Sequence, residues 1–180
     1  IALLETAAFA HLHNHTQYSI LQSTTAISDL VKSTAKEKMP AVALTDSGNM
    51  MAAFHFVQEV QKYNKEAESK NKEAEEKGEA PTETLIKPII GCEFNICENH
   101  LDRSHQDNGY QVVILAKNKE GYQNLIKIAS IASTKGFYYV PRIDKEIVAQ
   151  YKADLIVLSG GINGEIPSKI LNIGTKQAEE

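Results

Sequence analysis

The sequence predicts an α/β fold whose strands gather into a parallel sheet or barrel, with local exceptions allowed at the fourth strand. Two observations carry this expectation. Short apolar runs rich in Val, Ile and Leu alternate along the chain with longer stretches whose apolar residues recur every three or four positions. Helix-length segments separate most of these runs, which is the spacing of β–α–β units.

The elements follow in order. "FAHLH", residues 9–13, reads as a first strand. "ISDLVKSTAKEKM" places Ile27, Leu30, Val31 and Ala35 on one helical face, with Ser28 and Asp29 suited to a first turn. "PAVALT" is a short apolar run opened by Pro40, where a strand tolerates the missing N–H. "GNMMAAFHFVQEVQKYN" is helical, with Met51, Phe54, Val57 and Val60 in step. "IKPIIGCEFNI" and "YQVVILAK" read as the third and fourth strands, "EGYQNLIKIASIAS" as a helix, "DLIVLS" as a strand and "GEIPSKILNI" as a last helix.

Two polar insertions interrupt the rhythm. Residues 64–84 are almost all Lys, Glu, Ala and polar residues with no apolar face. They read as a solvated extension of the second helix and a loop, in preference to a charged docking arm. Residues 97–109, "CENHLDRSHQDNG", read as a surface loop between strands.

Composition bounds the function. The chain has 180 residues, 42% of them hydrophobic and 23% charged, enough for one domain with a sizeable core. A net charge of −4 excludes a surface that grips nucleic acid by bulk charge alone. No apolar run reaches the length of a membrane span, and "IALLETAAFA" lacks the basic and apolar regions of a signal peptide. The two cysteines, Cys92 and Cys97, are too few for a disulfide framework or a structural zinc site, and point to the cytoplasm. The non-Met start and the helix-like ending "GTKQAEE" read as those of a piece of a longer protein, with residues 1–8 a leader or linker from preceding sequence.

Three of the six histidines stand at alternate positions, His11, His13 and His15. If the first strand ends near His13, then His13 and His15 reach a common ion from the loop that follows, while His11 is expected to pack. Asp46 and Ser47 close the second strand, and Glu93 lies in or just past the third. In α/β barrels reactive groups collect at the C-terminal ends of strands, so His13, His15, Asp46 and Glu93 are the candidate metal ligands, expected within a few ångströms of one another. Imidazole with carboxylate suits Zn, Mn or Fe, and such sites commonly hydrolyse phosphate esters. The plainer alternatives are that Asp46 caps the following helix and that Glu93 is a buried carboxylate with a protein partner. His55 reads as core, and His100 and His105 as exposed. "LSGGINGE" offers a weak phosphate-cradle motif whose glycines equally suit a structural turn.

"FAHLHNHTQYSIL", "MPAVALTDSGNM", "IKPIIGCEFNI", "ILAKNKEGYQNLIKIAS", "GFYYVPRID" and "LIVLSGGINGEIP" together resemble, in that order, the PHP (polymerase and histidinol phosphatase) domain of the bacterial replicative polymerase family, from about Phe9 to the end. The resemblance implies a distorted (β/α)7-type, TIM-like barrel, of which residues 9–180 are the first part. It implies a divalent cofactor (Zn, Mn or Mg, held in part or absent where ligands are replaced) and a parent that is a nucleotidyltransferase. It also implies DNA and replisome subunits as partners, a proofreading exonuclease and a sliding clamp among them, with no membrane. The family's HxH pair falls on His13 and His15 and its bridging glutamate on Glu93. Its "TDHG" is "TDSG" here, so Ser47 replaces a histidine ligand. Gln22 stands for the acidic residue after "YSLL", and Gln111 for a histidine that opens the next strand. These neutral replacements favour a degenerate, scaffolding and exonuclease-docking domain over an active phosphoesterase or 3′–5′ exonuclease. No polymerase carboxylate triad is legible in these residues.

Overall fold

The computed structural model describes residues 8–179, so most of the expected leader, residues 1–7, lies outside the described residues. The elements are α1 (Ile27–Lys36), β1 (Ala41–Leu44), α2 (Ala53–Glu76), β2 (Lys87–Ile96), β3 (Tyr110–Ala116), α3 (Lys119–Thr134), β4 (Arg142–Ile143), α4 (Lys145–Tyr151), β5 (Leu155–Leu158), α5 (Glu165–Ile173) and α6 (Thr175–Glu179). They divide into two compact units. One runs to Leu44 and resumes over Met51–Ile89; the other joins Thr45–Met50 to the residues from Ile90 onward. Among the described residues no helix is long and apolar enough to cross a membrane.

In the first unit the expected first strand shrinks to a single parallel bridge between His11 and Val42. α1 buries Ile27, Val31 and Thr34, with the Thr34 hydroxyl donating back to the Leu30 carbonyl at 2.8 Å. α2 is rotated from its expected phase. It buries Ala53, Phe56, Val60 and Ala67, leaving Met51 and Phe54 exposed and His55 on the outside rather than in the core. Both phases are three- and four-residue spacings, and only the tertiary packing chooses between them.

The polar insertion 64–84 is helical to Glu76, as its composition allows, but the return segment is pinned. Asn64 donates to the Ile86 carbonyl (2.8 Å) and accepts from the Ile86 N–H (2.9 Å). Two turns on, Asn71 does the same for Glu83 and also accepts from the Thr82 N–H. Two side-chain amides thus substitute for a β-ladder along one helix face. Asn64→Ala is expected to lower stability by about 1–3 kcal/mol, because it strands both backbone groups of the buried Ile86. Urea unfolding measures this, and a loss below about 0.5 kcal/mol, the range of an ordinary surface change, would show the clamp to be incidental.

The second unit holds a mixed sheet, in which the departure from parallel pairing falls on β3, the fourth expected strand, where the sequence allows an exception. β2 pairs with β3 antiparallel (Glu93 opposite Val113, Asn95 opposite Gln111), and β3 pairs with β5 antiparallel. β4 runs parallel, beside Asn95 and Ile96 of β2. The hydrogen-bonded path does not close among the described residues, so the chain is an α/β protein with an open sheet. The β2–β3 connection explains the reversal. It contains no helix, whereas a parallel pair needs a crossover that usually is one.

One sheet face carries Cys92, Phe94, Val112 and Ile114 and packs on Leu125, Ile128 and Ala132 of α3. Each such fully buried Leu or Ile contributes about 1.5–3 kcal/mol. Asn118 caps α3 by accepting from the Gly121 N–H at 3.0 Å, and Asp144 caps α4 by accepting from the Ile147 N–H at 3.0 Å.

Candidate metal centre

In the first unit the HxH segment is held by one side chain. Asn14 donates to the Ala43 carbonyl at 2.9 Å, continuing by amide what the His11–Val42 bridge begins, while the Ala43 N–H donates to the His11 carbonyl. The loop beyond closes on itself through Ser23 Oγ to the His15 carbonyl (2.9 Å) and Gln17 N–H to the Thr25 carbonyl (2.9 Å). The His13 and His15 rings come side by side, centroids 5.1 Å apart and inclined at 76°. His13 is exposed and His15 half-buried. His11 instead sets its ring edge-on to Phe9 at 4.8 Å, the packing role expected of it. Gln22 is exposed in the turn that follows.

In the second unit the chain after β1 runs alongside β2. The Glu93 N–H donates to the Asp46 carbonyl (3.1 Å) and the Gly48 N–H to the Glu93 carbonyl (2.8 Å), so Ser47 stands in parallel register with Glu93. Residues opposite each other in such a pair share a sheet face. Gly48 adopts φ +66°, and a Cβ there would lie 3.2 Å from the Pro141 ring, which seats the "PRID" segment against this turn. Asp46 and Glu93 are both buried, at 1% and 2% exposure. The Cys92 thiol donates to the Asp46 and Asn49 carbonyls. Burial, and after it the charges of Asp46 and Glu93, push this thiol far above its ordinary range, so it is an inert core group.

Strand alternation sorts the remaining candidates. Gly91, Glu93 and Asn95 share one face of β2, opposite the α3-packed face. Gln111 faces Asn95 across the β2–β3 pair and therefore lies on the face of Glu93, one diagonal step away. Of the two positions where the resemblance expects imidazoles, Ser47 thus stands in register with Glu93 and Gln111 one diagonal step from it.

In the glycine-rich segment 158–165 one glycine makes a close backbone approach to β3. Gly160 has φ +79°, and a Cβ there would meet the Gln111 carbonyl at 2.4 Å, while Gln111 donates its N–H to the Asn163 carbonyl. The glycine permits this close backbone approach to β3.

A buried polar cluster escaped the sequence reading. His100, expected to be exposed, is buried at 8% and its ring pairs with the Asp144 carboxylate. Arg142, 1% exposed, donates to the carbonyls of Gly136, Asp107, His100 and Asp102. Burial alone would raise the Asp144 pKa, but the His100 ring and the Ile147 and His100 amides outweigh it and hold the carboxyl below its usual value. The available signal was "RID", where an arginine in a two-residue strand is followed two positions on by an aspartate at the start of a helix.

The PHP domain family matches residues 11–180 of the chain. The chain belongs to the PHP domain family. Proteins named DNA polymerase III subunit alpha resemble it across nearly its whole length. That of Treponema pallidum is 37% identical over 177 residues (96% of this chain), that of Borreliella burgdorferi 39% over 167 (91%), and that of Thermus aquaticus 41% over 171 (91%). The chain spans only 13%, 13% and 12% of those proteins. This PHP chain keeps the paired histidines and the buried glutamate that its motifs predict, with serine and glutamine at the positions flanking that glutamate.

Proposed function

We propose that the chain is the PHP part of a cytoplasmic replicative DNA polymerase subunit, with a depleted metal site and a mainly scaffolding role toward a proofreading exonuclease. The observation that carries this reading is the neutral pair beside Glu93, with Ser47 opposite it in register and Gln111 one diagonal step away on the same face. A serine hydroxyl and a carboxamide are poor substitutes for imidazole at a divalent ion. In this reading one ion at most is retained, with His13, His15 and Glu93, the positions of the family's HxH pair and bridging glutamate, as its ligands. Asp46 takes the lesser part, its buried charge lying next to the Cys92 thiol. A held Zn or Mn would supply Lewis-acid activation of water toward a phosphate ester. The chain's own contribution is to aim two adjacent imidazoles and to keep Glu93 out of bulk water.

The alternative is an active phosphoesterase or 3′–5′ exonuclease, favoured by the intact His13–His15 pair. Elemental analysis decides. At most one zinc or manganese per chain is expected, removed by mild EDTA treatment, with His13→Ala and Glu93→Gln each abolishing retention. Two or more ions per chain that resist EDTA, together with hydrolysis of a phosphodiester probe, would overturn the scaffolding reading.

A further inference from the structure

We propose that the turn Gly136–Pro141 is an aromatic platform on which bases of single-stranded DNA stack. The proposal rests on the polymerase reading above for its class of ligand. Three aromatic residues occupy consecutive positions in this turn. Phe137 and Tyr139 are exposed, at 53% and 63%, and Tyr138 lies half-buried between them in sequence. The ring of Tyr138 is fixed from below by the buried Arg142 guanidinium, 5.3 Å from its centroid. The Tyr139 ring stands edge-on to Tyr138, centroids 4.7 Å apart. Exposed aromatic rings held in place are pre-organised stacking surfaces, and every base offers a face to them.

The backbone adds an independent observation. Tyr139 sits at φ +63°, inside a bridge between Tyr138 and Val140. Glycine or asparagine is the usual occupant of that region, and a bulky ring there is strained. Folding alone favours glycine at this position. The strain is tolerated together with a ring that is mostly in solvent, which is the pattern of a functional contact.

Charge supplies the rest. Arg103 donates to the Lys135 carbonyl at 3.4 Å, and both side chains are exposed at the base of the turn, within reach of a phosphate backbone. The nearest acid, Asp102, is engaged by the Ser104 amide and faces His105. The platform also leads toward the metal-site residues of this unit. Two residues beyond Tyr139, Pro141 packs on Gly48 and accepts from Asn95, each a short step along the chain from Ser47 and Glu93. Only two cations take part, so binding is led by stacking, as the chain's net charge of −4 requires.

The test is fluorescence anisotropy of the full chain with a labelled oligothymidylate of about twelve nucleotides, a length within the site sizes of single-strand binders. EDTA is present, so failure of the metal reading leaves this result unaffected. Phe137→Ala and Tyr139→Gly are each expected to weaken binding about 5- to 100-fold. Tyr139→Gly should keep or raise the thermal midpoint, because the strain is relieved. The salt dependence should be shallow, with a log–log slope of about −1.4 for two neutralised phosphates. Binding by both variants equal to the parent, or no preference of the parent for the single strand over duplex, overturns the proposal.

Discussion

Arg142→Met is expected to destabilise the chain by about 3–5 kcal/mol, because it removes a charged donor from four carbonyls at once, each costing about 1–3 kcal/mol when left unpaired and only partly additive. The side chain is buried, and its three nitrogens reach four main-chain carbonyls at 2.8–3.3 Å. Three of those carbonyls, His100, Asp102 and Asp107, belong to the polar loop between β2 and β3, and the fourth, Gly136, opens the aromatic turn. Methionine fills much of the volume but leaves every acceptor without its donor. Arg142→Lys should recover only part of the loss, since one ammonium cannot span carbonyls arranged around a planar fork. Guanidinium chloride unfolding at constant m-value measures both, and amide exchange should accelerate first within residues 98–108. A loss under about 1 kcal/mol, the net worth of a single hydrogen bond, would show that the loop is held by other contacts. The neighbouring Asp144 adds a pH signature. Its folded pKa is depressed below the ordinary 3.8, so its contribution is complete above that value and disappears as pH falls through the folded one.

Arg142 also marks the limit of what the sequence discloses. Element type was legible wherever composition and period agreed, as in β2, β3 and α3, whose bounds fall within a few residues of the expected ones. Facing and direction were not. In α2 two apolar stripes compete, Met51–Phe54–Val57 and Ala53–Phe56–Val60, and a local pattern cannot say which one a neighbour covers. The orientation of β3 was available in principle, because the segment before it is polar and predicts no helix. A hairpin-like connection follows more directly from that than a parallel crossover. His100 and Arg142 were missed because a polar loop is read as solvated by default. Its burial depends on a cation supplied more than thirty residues later in the chain. The HxH pair and Glu93 were legible for the opposite reason. Alternation along a strand, and a carboxylate inside an apolar run, are local signals with few other uses.

Ser47→His is the substitution expected to change metal affinity most. Ser47 lies opposite Glu93 in a parallel bridge whose two flanking hydrogen bonds are 2.8 and 3.1 Å, so a larger side chain there leaves the backbone on the face of Glu93. The position is half-buried and its register is set by main-chain bonds, and the Asn49 side chain donates to the Ser47 carbonyl at 3.1 Å. A new imidazole would add a third nitrogen donor to those proposed at His13 and His15, and ligand number and type largely set affinity at such sites. Loss of a mere outer partner of a ligand changes affinity about 10- to 100-fold, so gain of a direct ligand should tighten zinc by at least that factor. Ser47→Ala should leave zinc affinity where it is, since the hydroxyl is a poor donor, and Ser47→Gln controls for size without a strong ligand. Gln111→His places a further imidazole on the same face, one diagonal step from Glu93, and its gain should add to that of Ser47→His. Competition titration against a zinc-binding dye reads all four variants. If Ser47→His binds zinc no more tightly than Ser47→Gln while both unfold like the parent, residue 47 does not face the ion. The depletion argument, and the scaffolding role built on it, would then lose their principal support.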